Sequence, residues 1–357
     1  MINQYLQKLE NDMTSSAWLD GKKANIIHLT NSYGMSVSFM DIGATWLSCM
    51  LPIDEQGREV LLRSKNMAEH IKQTAFFGST VGRYANRIGN SQFHIGTDTF
   101  DIVANEGVNS LHGGKIGFDK KRWKINEQTD NSVIFELFSE DGDQGYPGNL
   151  NVEVCYELTD DNELSISYRA NVDKACPVNL TNHAYFNLAG EGSDKKSTDH
   201  LLQMVAKSYL PTKPDMLPTG KTLSVLQTGF DFNHEKQVGL DFLKDSDQVI
   251  AGGYDHAFLF DAHLCDGKQT VATLCSPNQD VIMQLATTKP SVQFYSGNFL
   301  DGAVGANKVY QKYDGLALET QYLPDGPNHL EWGKSAGLLE TKEDYHHKTV
   351  YGFIFNT

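Results

Sequence analysis

Between Val152 and Ala170 the chain alternates apolar and polar positions with a period of two. Val152, Val154, Tyr156 and Leu158 fall on one side, with Glu153, Cys155 and Glu157 on the other. A turn cluster, Thr159-Asp160-Asp161-Asn162, follows, after which Leu164, Ile166, Tyr168 and Ala170 alternate with Ser165, Ser167 and Arg169. This pattern predicts a hairpin of two half-buried strands. Tyr351, Phe353 and Phe355 predict one face of a closing strand. The helical period marks the N-terminus, where Ile2, Tyr5, Leu6, Leu9 and Met13 form a stripe. It predicts a short amphipathic helix packed on the outside of the β-rich remainder, an extension over about residues 1–20. From about residue 25 onward short strands recur, broken by turns such as Asn105-Glu106-Gly107, Asp141-Gly142-Asp143 and Pro324-Asp325-Gly326-Pro327. Helical stretches long enough for βαβ units are nearly absent, which counts against a parallel sheet. Residues 191–199 read as a surface loop, and no repeat, low-complexity tract or linker divides the chain. The expectation is one all-β domain over residues 1–357, a large antiparallel β-sandwich.

Composition narrows the function. Apolar residues make up 40% and charged residues 21% of the 357 positions, enough to bury a sizeable core. Acidic residues outnumber basic ones 45 to 30, a net charge of −15 that repels phosphate backbones, so nucleic acid is not expected as a partner. No apolar run approaches the roughly 18 residues that a bilayer requires, so no membrane partner is expected. MINQYLQKLENDM has neither a basic nor an apolar signal region, and a cytoplasmic location is the default expectation. The 5 cysteines, at 49, 155, 176, 265 and 275, are odd in number and irregularly spaced, which predicts free thiols.

The search for chemistry begins with exclusions. There is no GxxxxGK[ST] loop and no GxGxxG fingerprint, so a nucleotide cofactor is not expected. Gly78-Ser79-Thr80-Val81-Gly82 puts threonine where a nucleophile elbow needs serine. The 12 histidines include no HExxH, and the adjacent His346-His347 cannot easily face one ion from a strand, so no metal is expected. Five segments set polar residues in strand-like contexts: Val81–Ile88, Asn109–Gly114, Thr181–Leu188, Tyr254–Phe258 and Leu316–Gln321. Each has a bland reading. Arg83 or Arg87 could be an ion-pair partner, His112 and His183 core or turn histidines, and Asp255 a turn residue after Gly252-Gly253. Glu319, among Leu316, Ala317 and Leu318, resists dismissal most, because a carboxylate in an apolar strand needs a partner or a task.

In this order VGRYANRI, NSLHGG, TNHAYFNL, YDHAF, the Pro290–Gly302 stretch PSVQFYSGNFLDG and LALETQ resemble the aldose 1-epimerases, also called galactose mutarotases. The resemblance covers roughly residues 25 to 355, and Tyr345–Tyr351 is similar to that family's closing strand. Val108 stands where the family often has proline, and the N-terminal helix is an addition. The resemblance implies a β-supersandwich with an open cleft, and a cofactor-free reaction that interconverts the α and β anomers of free aldohexoses such as galactose and glucose. It implies Glu319 as base and His183 as acid, with Asn86, Arg87, His112, Tyr185, Asp255 and Gln293 around the sugar, and a structural role for Arg83. Carboxylates near His183 would stabilise its imidazolium, which in turn would keep Glu319 ionised. A small-molecule aldose is the implied partner, with the protein a monomer or homodimer. Three other readings compete: a glycoside hydrolase built on Asp255 and Glu319, a non-catalytic sugar-binding sandwich, and a hexose-6-phosphate 1-epimerase, which would need a basic cluster.

Overall fold

The structure, a computed structural model, describes residues 2–53 and 55–355. Its largest element is a nine-stranded sheet containing the anticipated hairpin, Leu150–Leu158 and Glu163–Val172. The register sets Val152 opposite Ala170 and Tyr156 opposite Ile166, so the alternation buries one face. The closing strand Tyr345–Phe355 pairs with both Glu163–Val172 and Val281–Thr287, at the centre of that sheet. Among the described residues every strand pair in the named sheets is antiparallel. One hydrophobic core runs from Ile27 to Phe353 in sequence.

A four-stranded sheet over residues 26–59 behaves differently. Thr45–Leu51 is buried at every position, because Trp46 and Cys49 enter the main core while Leu47 faces a second cluster with Leu9, Met13 and Trp18. The cover is supplied by the N-terminal helix Ile2–Met13, which buries the Leu6, Leu9 and Met13 positions of its stripe. Tyr5 of that helix donates its hydroxyl to Glu59 at 2.6 Å. The extension therefore closes a sheet face. In the loop at 191–199 the structure departs from a plain surface reading. Glu191 is buried and accepts hydrogen bonds from Tyr310 and Asn307.

A six-stranded sheet carries Tyr185–Phe186, Leu316–Gln321, Ser291–Tyr295 and Asp255–Leu259 side by side. Gln293 lies opposite Glu319, and Asp255 opposite Tyr295. With the period-two pleat, Leu316 and Leu318 enter the main core while Ala317 and Glu319 face the other way. That second face floors a cleft.

Candidate active site

Two short pairings build the opposite wall. Thr80–Val81 pairs with Thr181–Asn182, which delivers His183 at the strand's end, and Arg87–Ile88 pairs with Ser110–Leu111, which delivers His112. The backbone then turns through left-handed conformations at His112 (φ 50°), Gly113 (φ 87°) and Gly114 (φ 100°). A Cβ on Gly113 would lie 1.9 Å from the Gly82 carbonyl oxygen, so glycine is required after that histidine. Asn86, also left-handed at φ 69°, returns its amide to the imidazole: its N–H donates to His112 Nδ1 at 3.1 Å.

These walls enclose a cavity of about 500 Å³ lined by Asn86, Arg87, His112, His183, Tyr185, Asp255 and Glu319. Seven of the eight residues implied by the resemblance thus meet there. Gln293 stands behind the wall and donates to Asp255 Oδ1 at 2.6 Å. Arg83 points elsewhere, donating to Ser139, Glu140 and Pro147. The arginine ambiguity is resolved by contacts: Arg87 chelates Glu106 at 2.6 and 2.8 Å and comes within 3.8 Å of Asp255. Although burial disfavours its charge, Asp255 and Glu106 outweigh that and hold the guanidinium firmly protonated.

His183 Nε2 lies 3.6 Å from Glu319 Oε1, and Glu319 Oε2 and His183 Nδ1 have no hydrogen-bond partner within the protein. Buried atoms of this kind are open to a ligand. Their protonation differs from the expectation drawn from charge alone. Burial pushes the His183 imidazole down to about 4, and burial with the neighbouring Asp255 charge pushes the Glu319 carboxyl well up against the opposing pull of Arg87. Desolvation outweighs mutual attraction, so the unliganded pair favours neutral imidazole with a protonated carboxyl.

His112, His183 and Glu319 stand close enough to suggest a metal, one ligand atom from each lying within 4.8 Å of the others. The tautomer argues against it. Because Nδ1 of His112 accepts the Asn86 N–H, its other nitrogen carries the proton and offers no lone pair. His112 is a neutral hydrogen-bond donor, and burial, His183 and Arg87 all disfavour its charged form.

Several lining residues were not anticipated. Phe76, held at φ 57°, stacks on His183 (5.7 Å, 27°) and meets His112 edge-on. Asp119, buried and pushed up to about 6 by desolvation, lines the cleft with Lys115, Lys120, Tyr295 and Phe299. Asn105-Glu106-Gly107 carried only a turn signal, which conceals the Glu106 bond to Arg87.

An antiparallel supersandwich whose cleft joins the His183–Glu319 pair to a ring of hydrogen-bonding groups is chemically suited to small polyhydroxylated molecules. The aldose 1-epimerase profile matches residues 25–352, and the chain belongs to the aldose 1-epimerase family. It is 47% identical over 337 residues to the aldose 1-epimerase of Escherichia coli, covering 94% of this chain and 96% of that one. It is 40% identical to the galactose mutarotase of Mus musculus, covering 89% and 91%. Among solved structures, an aldose epimerase homologue from C. elegans superposes with a TM-score of 0.85 at 28% identity, covering 94% and 100% of the two chains. Galactose 1-epimerase from Lactobacillus acidophilus gives 0.82 at 30%, covering 95% and 96%.

Proposed function

We propose that this protein is a mutarotase that interconverts the anomers of free aldohexoses, galactose among them, with Glu319 as base and His183 as acid. The observation that carries this reading is the His183–Glu319 pair, 3.6 Å apart across the cleft with unpartnered polar atoms. Glu319 takes the C1 hydroxyl proton as the C1–ring oxygen bond breaks. The bonding electrons go to the ring oxygen, which receives the proton of His183. The open-chain aldehyde then rotates about C1–C2. Closure on the other carbonyl face returns one proton to His183, and Glu319 gives the other to the new C1 oxygen.

At the open-chain stage the pair must be neutral imidazole and protonated carboxyl, the form that burial favours. The ring form needs the ion pair, which Arg87 supports through its pull on Glu319. His112 donates through Nε2, while Asn86, Arg87, Tyr185 and Asp255 serve the sugar hydroxyls and Gln293 holds Asp255. Residues 1–357 act as one unit in this reading, supported by a core that spans Ile27 to Phe353. Five free cysteines support a reducing, cytoplasmic setting. Among the described residues no helix is long and apolar enough to cross a membrane.

A second reading, an epimerase of anionic sugars, is favoured by Lys115 and Lys120 at the cleft. Polarimetry of freshly dissolved α-galactose and α-glucose tests the first. The protein should accelerate the approach to equilibrium, equally with and without EDTA, and no acceleration would refute the reading.

A further inference from the structure

Phe299 is 67% exposed, yet it is not loosely held. Its neighbours Asn298 and Leu300 are buried, and its own N–H donates to the Tyr295 hydroxyl at 2.8 Å. Asn298 clamps the turn by donating to the Ala251 and Tyr254 carbonyls at 2.9 and 3.1 Å. The phenyl ring runs nearly parallel to Tyr295 (24°, centroids 6.3 Å apart), and both line the cavity that holds Glu319 and Asp255. A rigid aromatic ring kept in water forgoes the free energy that burial would give it. A surface presented in this way, at the edge of a binding cleft, is suited to covering an apolar surface of the ligand.

A pyranose has such a surface. Its hydroxyls project mostly around the ring edge, and its C–H bonds gather on the faces. The charged and amide groups of the cleft serve the hydroxyls but leave a C–H face without cover. In galactose the axial C4 hydroxyl leaves the C3, C4 and C5 hydrogens together on one face. We propose that Phe299 is the platform on which the C–H face of the bound pyranose rests, setting affinity without taking part in proton transfer. The proposal rests on the reading of the cleft as a sugar site.

F299A, F299L and F299W are compared with wild type by polarimetry on galactose. Because the ring is exposed, each variant should unfold at the wild-type temperature. F299A should raise KM about tenfold, equivalent to ~1.4 kcal/mol, with kcat within about twofold, the signature of binding shared equally by ground and transition states. F299L should fall between, since it is apolar but not flat, and F299W should hold KM near wild type. The indole introduced by F299W should also change its emission on titration with galactose, with a midpoint near KM. A KM for F299A within about twofold of wild type, or a kcat loss at unchanged KM, would overturn the platform. The two readings fail separately: inactive wild type with a saturable F299W emission change would remove the mutarotase reading and keep the platform.

Discussion

Glu319 is buried, lacks a hydrogen bond at Oε2 and is pushed toward its neutral form. Glu319→Gln should therefore unfold no earlier than wild type, since a neutral amide relieves a buried carboxyl. It should bind galactose within about tenfold, ~1.4 kcal/mol, and lose at least roughly 10²-fold in kcat. Near-normal turnover in a folded, sugar-binding E319Q protein would remove the glutamate from the mechanism. The pH profile follows from counting protons on the pair, whose apparent constants belong to both groups. One proton must be present. A second enters as pH falls through the His183 value of about 4 and occupies the base. The only one leaves as pH rises through the raised Glu319 value, and the acid is then missing. A plot of kcat/KM against pH should be a bell with its acid limb near 4, on enzyme that recovers fully at neutral pH. An acid limb well above 4 would remove this assignment of protons to the pair. The polar members of this site were legible because their motifs recur in order along the chain. Phe76 and Asp119 were not. A phenylalanine at φ 57° has no sequence mark, and Asp119 is indistinguishable by composition from any aspartate that precedes a pair of lysines.

Elements with local periodicity were legible, and those defined by distant covering were not. The strands 150–158 and 163–172 follow the predicted alternation and turn, and the N-terminal stripe became the helix Ile2–Met13. Thr45–Leu51 shows no clean alternation because both its faces are buried, and the cover on its outer face comes partly from a helix over thirty positions earlier. That helix lies before the family match, which begins at residue 25, but it is bonded into the fold. Glu59 is buried and accepts from Ser48 at 2.5 Å and from the Cys49 and Leu61 amides at 2.8 and 2.9 Å, with Tyr5 as the remaining donor. Removing that hydroxyl in Tyr5→Phe should cost about 1–2 kcal/mol, as for a buried hydrogen bond to an acidic group. Thermal or denaturant unfolding should register the loss, while kcat and KM for galactose stay at wild-type values because the helix does not line the cleft. A Y5F protein as stable as wild type would mean that the helix contributes little through this contact.

At the scale of the whole molecule, the pairing of Glu163–Val172 with Tyr345–Phe355 has no local signature, so the sheet order lay beyond the sequence although the all-β class did not. The same long-range assembly alters the charge argument about substrates. A basic run, Lys115, Lys120, Lys121 and Arg122, follows NSLHGG, and the fold brings its Lys115 and Lys120 to the cleft that Arg87 also lines. They do not stand alone, because Glu106, Asp119, Asp255 and Glu319 line the same cavity within a protein of net charge −15. Lys120 also donates to the Lys115 carbonyl at 2.8 Å, and Arg87 is already chelated by Glu106. The balance leaves no clear excess of positive charge to receive a phosphate dianion, while the surrounding field repels it. Glucose should therefore exceed glucose 6-phosphate in kcat/KM by at least about tenfold in low salt. Salt separates charge from shape. Raising ionic strength from about 0.01 M to 1 M shortens the screening length from roughly 30 Å to 3 Å, so discrimination that comes from the field should shrink. Discrimination that comes from cleft shape would persist in high salt. A preference for the phosphate at low salt would mean that Lys115 and Lys120 govern the site, and the anionic-sugar reading would replace the neutral one.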